Sequence, residues 1–274
     1  MTSEDIMEVA LDLAHLAEIP RDSGIHVRSD SITTVLATVD CDVSDLLMAR
    51  AFKCDAVLTH HPEGAAGLHG WQVMRNQIEQ MVECGVPIAR AEAAIQRRME
   101  QVELAGHARN YLRVVQAAQL LKLGFLNIHV PCDLITRRLI AEKLAHFNAP
   151  NSRATVADVV AALQEFPEHR AAATTPQVRL GAPDRLAGRV AVAIGGYTNG
   201  GVEVLRAYFD AGVGTVLMMH FPDGDLREAR EQKLPGNLVV TGHMASDSIG
   251  INFFLDELQR LGLSITRAGG IVVP

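Results

Sequence analysis

Residues 31–64 read SITTVLATVDCDVSDLLMARAFKCDAVLTHHPEG and contain the pattern that indicates the fold class. The β-branched and apolar residues at 35–39 predict a strand, and the apolar spacing that follows predicts an amphipathic helix. Residues 56–59 predict a second, buried strand that ends directly before two histidines. The order strand, helix, strand is typical of a buried parallel sheet, so this stretch predicts the α/β class.

The same order of elements returns in residues 189–224, RVAVAIGGYTNGGVEVLRAYFDAGVGTVLMMHFPDG. When His220 is set opposite His60, both copies end on a histidine followed by a proline, an acidic residue and a glycine. Agreement in element order and in the closing turn indicates two similar halves related by duplication.

We therefore predict a first α/β half at residues 1–150 and a second at residues 189–274. Residues 151–188 would form a connecting helix and a linker, because residues 167–186 contain three prolines and several charged residues. The short apolar run at 126–130 predicts one more strand in the first half, with polar residues in the loop after it.

Composition excludes several functional classes. The net charge of −7 and an aromatic content of 4% argue against a nucleic-acid-binding surface. The four cysteines form no CxxC pair, which argues against a thiolate zinc site and a disulfide scaffold. The acidic start does not resemble a signal peptide, and no apolar run is long enough to span a membrane. We expect a cytoplasmic protein that does not bind nucleic acid or membranes.

The strongest local signal for chemistry is the sequence His60-His61-Pro62. Neighbouring histidines at the end of a strand point to opposite sides, so each can bind a different metal ion. Taken alone, such a pair is more often part of a solvated loop than of a metal site.

Two further pairs have a spacing of four residues. His243 and Asp247 would lie on one face of a helix, one turn apart, as a chelating pair requires. The alternative is helix capping, in which Asp247 favours the helix dipole without a metal. His129 and Asp133 form the other pair, in a predicted loop around Pro131, where a buried His129 hydrogen-bonded to Asp133 is the structural alternative. Proximity in the folded chain separates these interpretations.

In this order, the His-His-Pro turn, His129 through Asp133, and Gly242-His243 through Asp247 resemble the Nif-three-like family of dinuclear metal-centre proteins. The resemblance covers nearly the whole chain. It implies two intertwined three-layer α/β/α halves, two adjacent metal ions in a cleft, and a ring-shaped homo-hexamer. It also implies five metal ligands and a polar residue, His129, beside the site; the ligands are His60, His61, Asp133, His243 and Asp247.

Two positions depart from the family pattern. The family usually has a glutamate where this chain has Asp247, and the missing methylene shortens the reach of a carboxylate that should approach both ions. His220 lies in a turn where the family does not ordinarily supply a ligand. We interpret it as a polar turn residue, despite its place in the repeat.

Ligands of this kind suit two divalent ions of iron, zinc or manganese, and Asp133 can bridge them. The function that follows is a metal-dependent hydrolase acting on a small phosphorylated or heterocyclic, nucleotide-like substrate. Glu63 or His129 would handle protons, although a solvent-facing turn carboxylate is an equal interpretation of Glu63. Family members are often labelled as a second type of GTP cyclohydrolase.

The alternative function is not catalytic. A hexameric metal-binding protein that stores, delivers or senses metal, or serves as a scaffold for partners, would have the same ligands. The glycine-rich residues 195–201 lack the lysine of a phosphate-binding P-loop, so we interpret them as a tight turn capped by Asn199.

Overall fold

The computed structural model describes the whole chain, Met1 to Pro274. It combines helices with strands, and the strands form two mixed β-sheets, which confirms the predicted α/β class. The strands are β1 (Gly24–Val27), β2 (Thr34–Thr38), β3 (Ala56–Thr59), β4 (Gly124–Asn127), β5 (Gln177–Leu180), β6 (Arg189–Val192), β7 (Val213–Met218), β8 (Asn237–Val240) and β9 (Ser264–Arg267). The helices are α1 (Ser3–Ala14), α2 (Val43–Ala51), α3 (Ala66–Val73), α4 (Asn76–Glu83), α5 (Ile88–His107), α6 (Arg113–Leu121), α7 (Val130–Leu144), α8 (Val156–Leu163), α9 (Pro167–Ala171), α10 (Gly201–Asp210), α11 (Asp223–Glu231) and α12 (His243–Arg260), with a 3-10 helix at Ala145–Asn148. No helix combines the length and the apolarity that a membrane crossing needs.

The chain divides into two compact units whose segments alternate along the sequence. The first unit consists of residues 1–73, 102–135 and 247–273; the second consists of residues 74–101 and 136–246, together with Pro274. Helices α5 and α12 begin in the second unit and end in the first, and α7 begins in the first unit and ends in the second.

The first unit contains a five-stranded sheet in the order β1-β4-β3-β2-β9. Four of its strands are parallel, and β1 pairs with β4 in the antiparallel direction. Thr59, the last residue of β3, is the register partner of Asn127, the last residue of β4. Because the two strands end side by side, His60 and His129 follow them at the same edge of the sheet.

The second unit contains a four-stranded sheet in the order β5-β8-β7-β6. Its antiparallel edge strand and three parallel strands repeat the order β1-β4-β3-β2, and the edge pairing is irregular at the corresponding place in both sheets. This shared topology is what a duplicated unit should have. Residues 167–186, predicted to be a linker, contain α9 and the edge strand β5. The residues of β5 alternate between exposed and half-buried, so the strand lacks the continuous apolar run of a buried strand.

The carboxylate of Asp55, directly before β3, holds the start of β2 in place. It accepts hydrogen bonds from the backbone N–H and the hydroxyl of both Thr33 and Thr34, at 2.8 to 3.0 Å. Partial burial raises the pKa of Asp55, but these hydrogen bonds outweigh it and lower the pKa to about 2.

We expect the Asp55→Asn variant to be less stable at pH 7 by about 1–2 kcal/mol, a value reduced for solvent screening because the group is partly exposed. The folded-state pKa is depressed, so this stabilisation is complete above the usual aspartate pKa of about 4 and is lost as the pH falls towards 2. Urea unfolding of the parent and the variant at pH 7 and at about pH 2.5 measures this loss of stabilisation. An Asp184→Asn variant, in an exposed turn, should be unchanged. If the free energies of unfolding of Asp55→Asn and the parent differed by the same amount at both pH values, the assignment would be contradicted.

Candidate metal centre

His60 follows β3 and is almost completely buried. Its Nδ1 donates to the carbonyl oxygen of Ile128, 3.1 Å away, so in the neutral ring Nε2 has a lone pair. That nitrogen lies 3.5 Å from Oδ1 of Asp133 and 3.8 Å from Oδ2 of Asp247. A nitrogen lone pair therefore faces two buried carboxylates.

His61 lies at the edge of the cluster. Its Nδ1 is 2.6 Å from Oδ1 of Asp40, and its Nε2 is 3.5 Å from the same Oδ2 of Asp247 that faces His60. The His61 side chain is 22% exposed and that of Asp40 is 76% exposed. The cluster is therefore accessible to solvent on the side of His61 and buried on the side of His60.

His129 contributes the third imidazole. Its ring centroid lies 4.8 Å from that of His60 and 5.9 Å from that of His61. Its Nδ1 lies 2.6 Å from Oδ2 of Asp22, and its Nε2 lies 3.9 Å from Oδ2 of Asp133. Burial lowers the pKa of His129, but the surrounding carboxylates, Asp133 foremost, outweigh it and raise the pKa to about 9.

The segment from His129 to Asp133 is not the predicted loop. Helix α7 begins at Val130, with Pro131 in its first turn, where a proline costs no hydrogen bond. The backbone N–H of Asp133 donates to the carbonyl oxygen of His129 at 3.1 Å. This is the hydrogen bond of an α-helical turn, so His129 and Asp133 are one helical turn apart. The hydrogen-bond partner of the His129 ring is Asp22 rather than Asp133. Sequence reasoning missed Asp22, because a lone aspartate in a polar loop before a short edge strand gives no local signal.

Asp247 lies on α12 and is 1% exposed. The helix begins at His243, so His243 and Asp247 are one turn apart on it as expected. Asp247 belongs to the first unit and faces His60 and His61 there. His243 belongs to the second unit.

His220 also belongs to the second unit, in the turn after β7. Its ring centroid is 4.8 Å from that of His243, and its Nδ1 is 3.3 Å from Nδ2 of Asn199. It is in none of the groups of donor atoms that are close enough to share a metal ion. The Oδ1 of Asn199 accepts from the backbone N–H of Gly201 at 3.0 Å within the tight turn, but the N-cap of α10 is Gly200 and not Asn199.

Glu63 follows the His-His-Pro turn and is half-buried. Burial raises the pKa of its carboxyl group, and the guanidinium of Arg109 opposes that shift. Glu63 is not among the groups of donor atoms that could share an ion, so it stands beside the cluster and not in it.

The donors fit a divalent cation. The ligand atoms of His60, Asp133 and Asp247 lie within 4.8 Å of one another, and so do those of His60, His61 and His129. Neither Nε2 of His60 nor Oδ1 of Asp133 makes a hydrogen bond, although both atoms are buried. Buried carboxylates are costly unless a cation or hydrogen bonds compensate their charge. Buried histidines and aspartates in this arrangement could therefore hold a metal ion.

Comparison with solved structures identifies proteins of the same fold. A NIF3 superfamily protein from Sphaerobacter thermophilus is 38% identical, covers 98% of both chains and superimposes with a TM-score of 0.95. Reduced HcgD from Methanocaldococcus jannaschii is 15% identical over 97% of both chains, with a TM-score of 0.62. A Bacillus cereus protein related to NIF3 is 11% identical over 98% of this chain and 96% of its own, with a TM-score of 0.55. Neither a family model nor a curated protein matches the sequence.

Proposed function

This chain belongs to the NIF3 superfamily, and on that basis we propose that its histidine–aspartate cluster holds two divalent metal ions and that the protein is a metal-dependent hydrolase. One observation carries the proposal: the Nε2 lone pair of His60 faces the carboxylates of Asp133 and Asp247 in a buried space. Neither the His60 nitrogen nor Oδ1 of Asp133 has a hydrogen-bond partner in the protein. A divalent cation between these atoms would satisfy both.

Two ions are proposed because the donors form two groups around Asp247. His60 and Asp133 would hold one ion and His61 the other, and the family pattern adds His243 as a further ligand. Oδ2 of Asp247 lies within 4 Å of both Nε2 atoms, which supports the proposal that this carboxylate would serve both ions. Imidazole and carboxylate donors without thiolate suit iron, zinc or manganese.

The exposure of His61 favours an enzyme over a storage protein. A site that closes completely around its metal is structural, whereas a catalytic site keeps one side open. The cluster is open beside His61 and Asp40, where a small phosphorylated or nucleotide-like substrate would enter. Bound divalent ions would supply Lewis acidity there, and Glu63, next to the turn, would move protons to and from the substrate. We also propose a cytoplasmic homo-hexamer.

Metal analysis of the purified protein tests this function. We expect about two ions per chain in the parent protein, and fewer in both the His61→Ala and Asp133→Ala variants, because each removes a ligand. A His107→Ala variant, at an exposed position of α5, should keep the parent content. Full metal content in both ligand variants would remove these residues from the site.

Turnover separates an enzyme from a metal store. With GTP as the probe, the metal-loaded protein should release phosphate or open the purine ring, and a chelator should abolish this reaction. Full metal loading without turnover of GTP or of other nucleoside phosphates would favour the storage function.

A further inference from the structure

Asp22 is a completely buried carboxylate that the metal-binding motifs do not include. It precedes the edge strand β1, and its Oδ2 lies 2.6 Å from Nδ1 of His129. Two neighbours fix it in place. The hydroxyl of Ser23 donates to Oδ1 of Asp22 at 3.3 Å, and Nδ2 of Asn127 donates to the carbonyl oxygen of Asp22 at 2.7 Å.

These contacts also fix the His129 ring. The backbone N–H of His129 donates to the hydroxyl of Ser23 at 3.0 Å, so the backbone and the ring of His129 are held by adjacent residues. A carboxylate can only accept, so Nδ1 of His129 must donate to Asp22. The remaining nitrogen, Nε2, points to Asp133 and the other imidazoles.

We infer that Asp22 is a positioning residue that fixes the tautomer and orientation of His129 and thereby makes His129 Nε2 a metal-binding nitrogen. The inference rests on the proposed metal centre. Metal-bound histidines generally donate their other ring N–H to a carboxylate or carbonyl, which orients the ring and makes it a stronger ligand. His60 has such a partner in the carbonyl oxygen of Ile128, and Asp22 completes the set for His129.

The chain offers a matched control in Asp40. Asp40 approaches Nδ1 of His61 at the same 2.6 Å, but it is 76% exposed, whereas the Asp22 side chain is 0% exposed. Water can replace Asp40 as the acceptor and screens its charge. Water cannot reach Nδ1 of His129 in the same way, so only the loss of Asp22 should disturb a cluster histidine.

The test is a chelator competition with zinc as the probe, on the full-length protein. Asp22→Asn should weaken zinc binding about 10- to 100-fold, as loss of such partners typically does, and Asp40→Asn should change it less than about 3-fold. In a His129→Ala background, Asp22→Asn should have no further effect, because its target is gone. If Asp22→Asn does not fold, Ser23→Ala removes one support of Asp22 and should lower zinc affinity several-fold.

Thermal unfolding of the metal-free proteins separates positioning from a merely structural role. Lower stability of metal-free Asp22→Asn with parent zinc affinity would overturn the inference. Equal losses of affinity in Asp22→Asn and Asp40→Asn, or a loss that persists in the His129→Ala background, would also overturn it. A parent protein that binds no metal would instead refute the proposed function.

Discussion

Replacing Asp247 with asparagine should remove both metal ions and leave the metal-free fold at least as stable as the parent. Oδ2 of Asp247 lies 3.8 Å from Nε2 of His60 and 3.5 Å from Nε2 of His61, so in the proposed centre this one oxygen would serve both ions. The neutral amide of asparagine is a much weaker ligand. Without metal, the substitution also removes a buried negative charge close to Asp133, which should relieve a cost of folding.

Metal analysis and thermal unfolding with and without chelator measure both effects. The parent should lose about 2.7 kcal/mol of stability on chelation when the free metal had been about 100 times its dissociation constant. Asp247→Asn should show no such difference. Asp247→Glu restores the residue that is usual in the family and should keep the metal. An asparagine variant that retains two ions would contradict the central place of Asp247.

Gly214→Ala should destabilise the second unit by about 3 kcal/mol or more, because the new methyl group has no space. A Cβ at Gly214, in β7, would lie 2.3 Å from the carbonyl oxygen of Ala187 and 2.8 Å from the Cα of Gly188. Both are backbone atoms, so no side-chain rotation relieves the contact. The same carbonyl of Ala187 accepts a hydrogen bond from the hydroxyl of Thr215 at 2.6 Å, which a displaced backbone would lose.

Gly224→Ala is the matched control. Gly224 lies in α11 with no atom within 4 Å of the added Cβ, and alanine favours a helix by up to about 1 kcal/mol over glycine. Urea unfolding of the two variants should therefore move in opposite directions. Equal stabilities would mean that the backbones of β7 and of residues 187–188 are not in contact.

The elements around the metal turn could be predicted from the sequence because their patterns are local. The apolar run before His60 predicted β3 to within its observed bounds, Ala56–Thr59. The strands β1, β5 and β9 were not predicted, since all three are half-buried or exposed edge strands without an apolar run. Edge strands depend on pairing with a neighbour, and a single sequence does not contain that pairing.

Residue type and spacing encode the α/β class, the repeated strand–helix–strand unit, and the histidine pair at the end of a buried strand, so all three could be predicted from the sequence. The folded structure was needed to show that Asp133 and Asp247 face His60, and that Asp22 is the partner of His129. The reason is that these contacts join residues more than about a hundred positions apart or on different elements, where sheet register sets the distances and spacing in the chain carries no information about them.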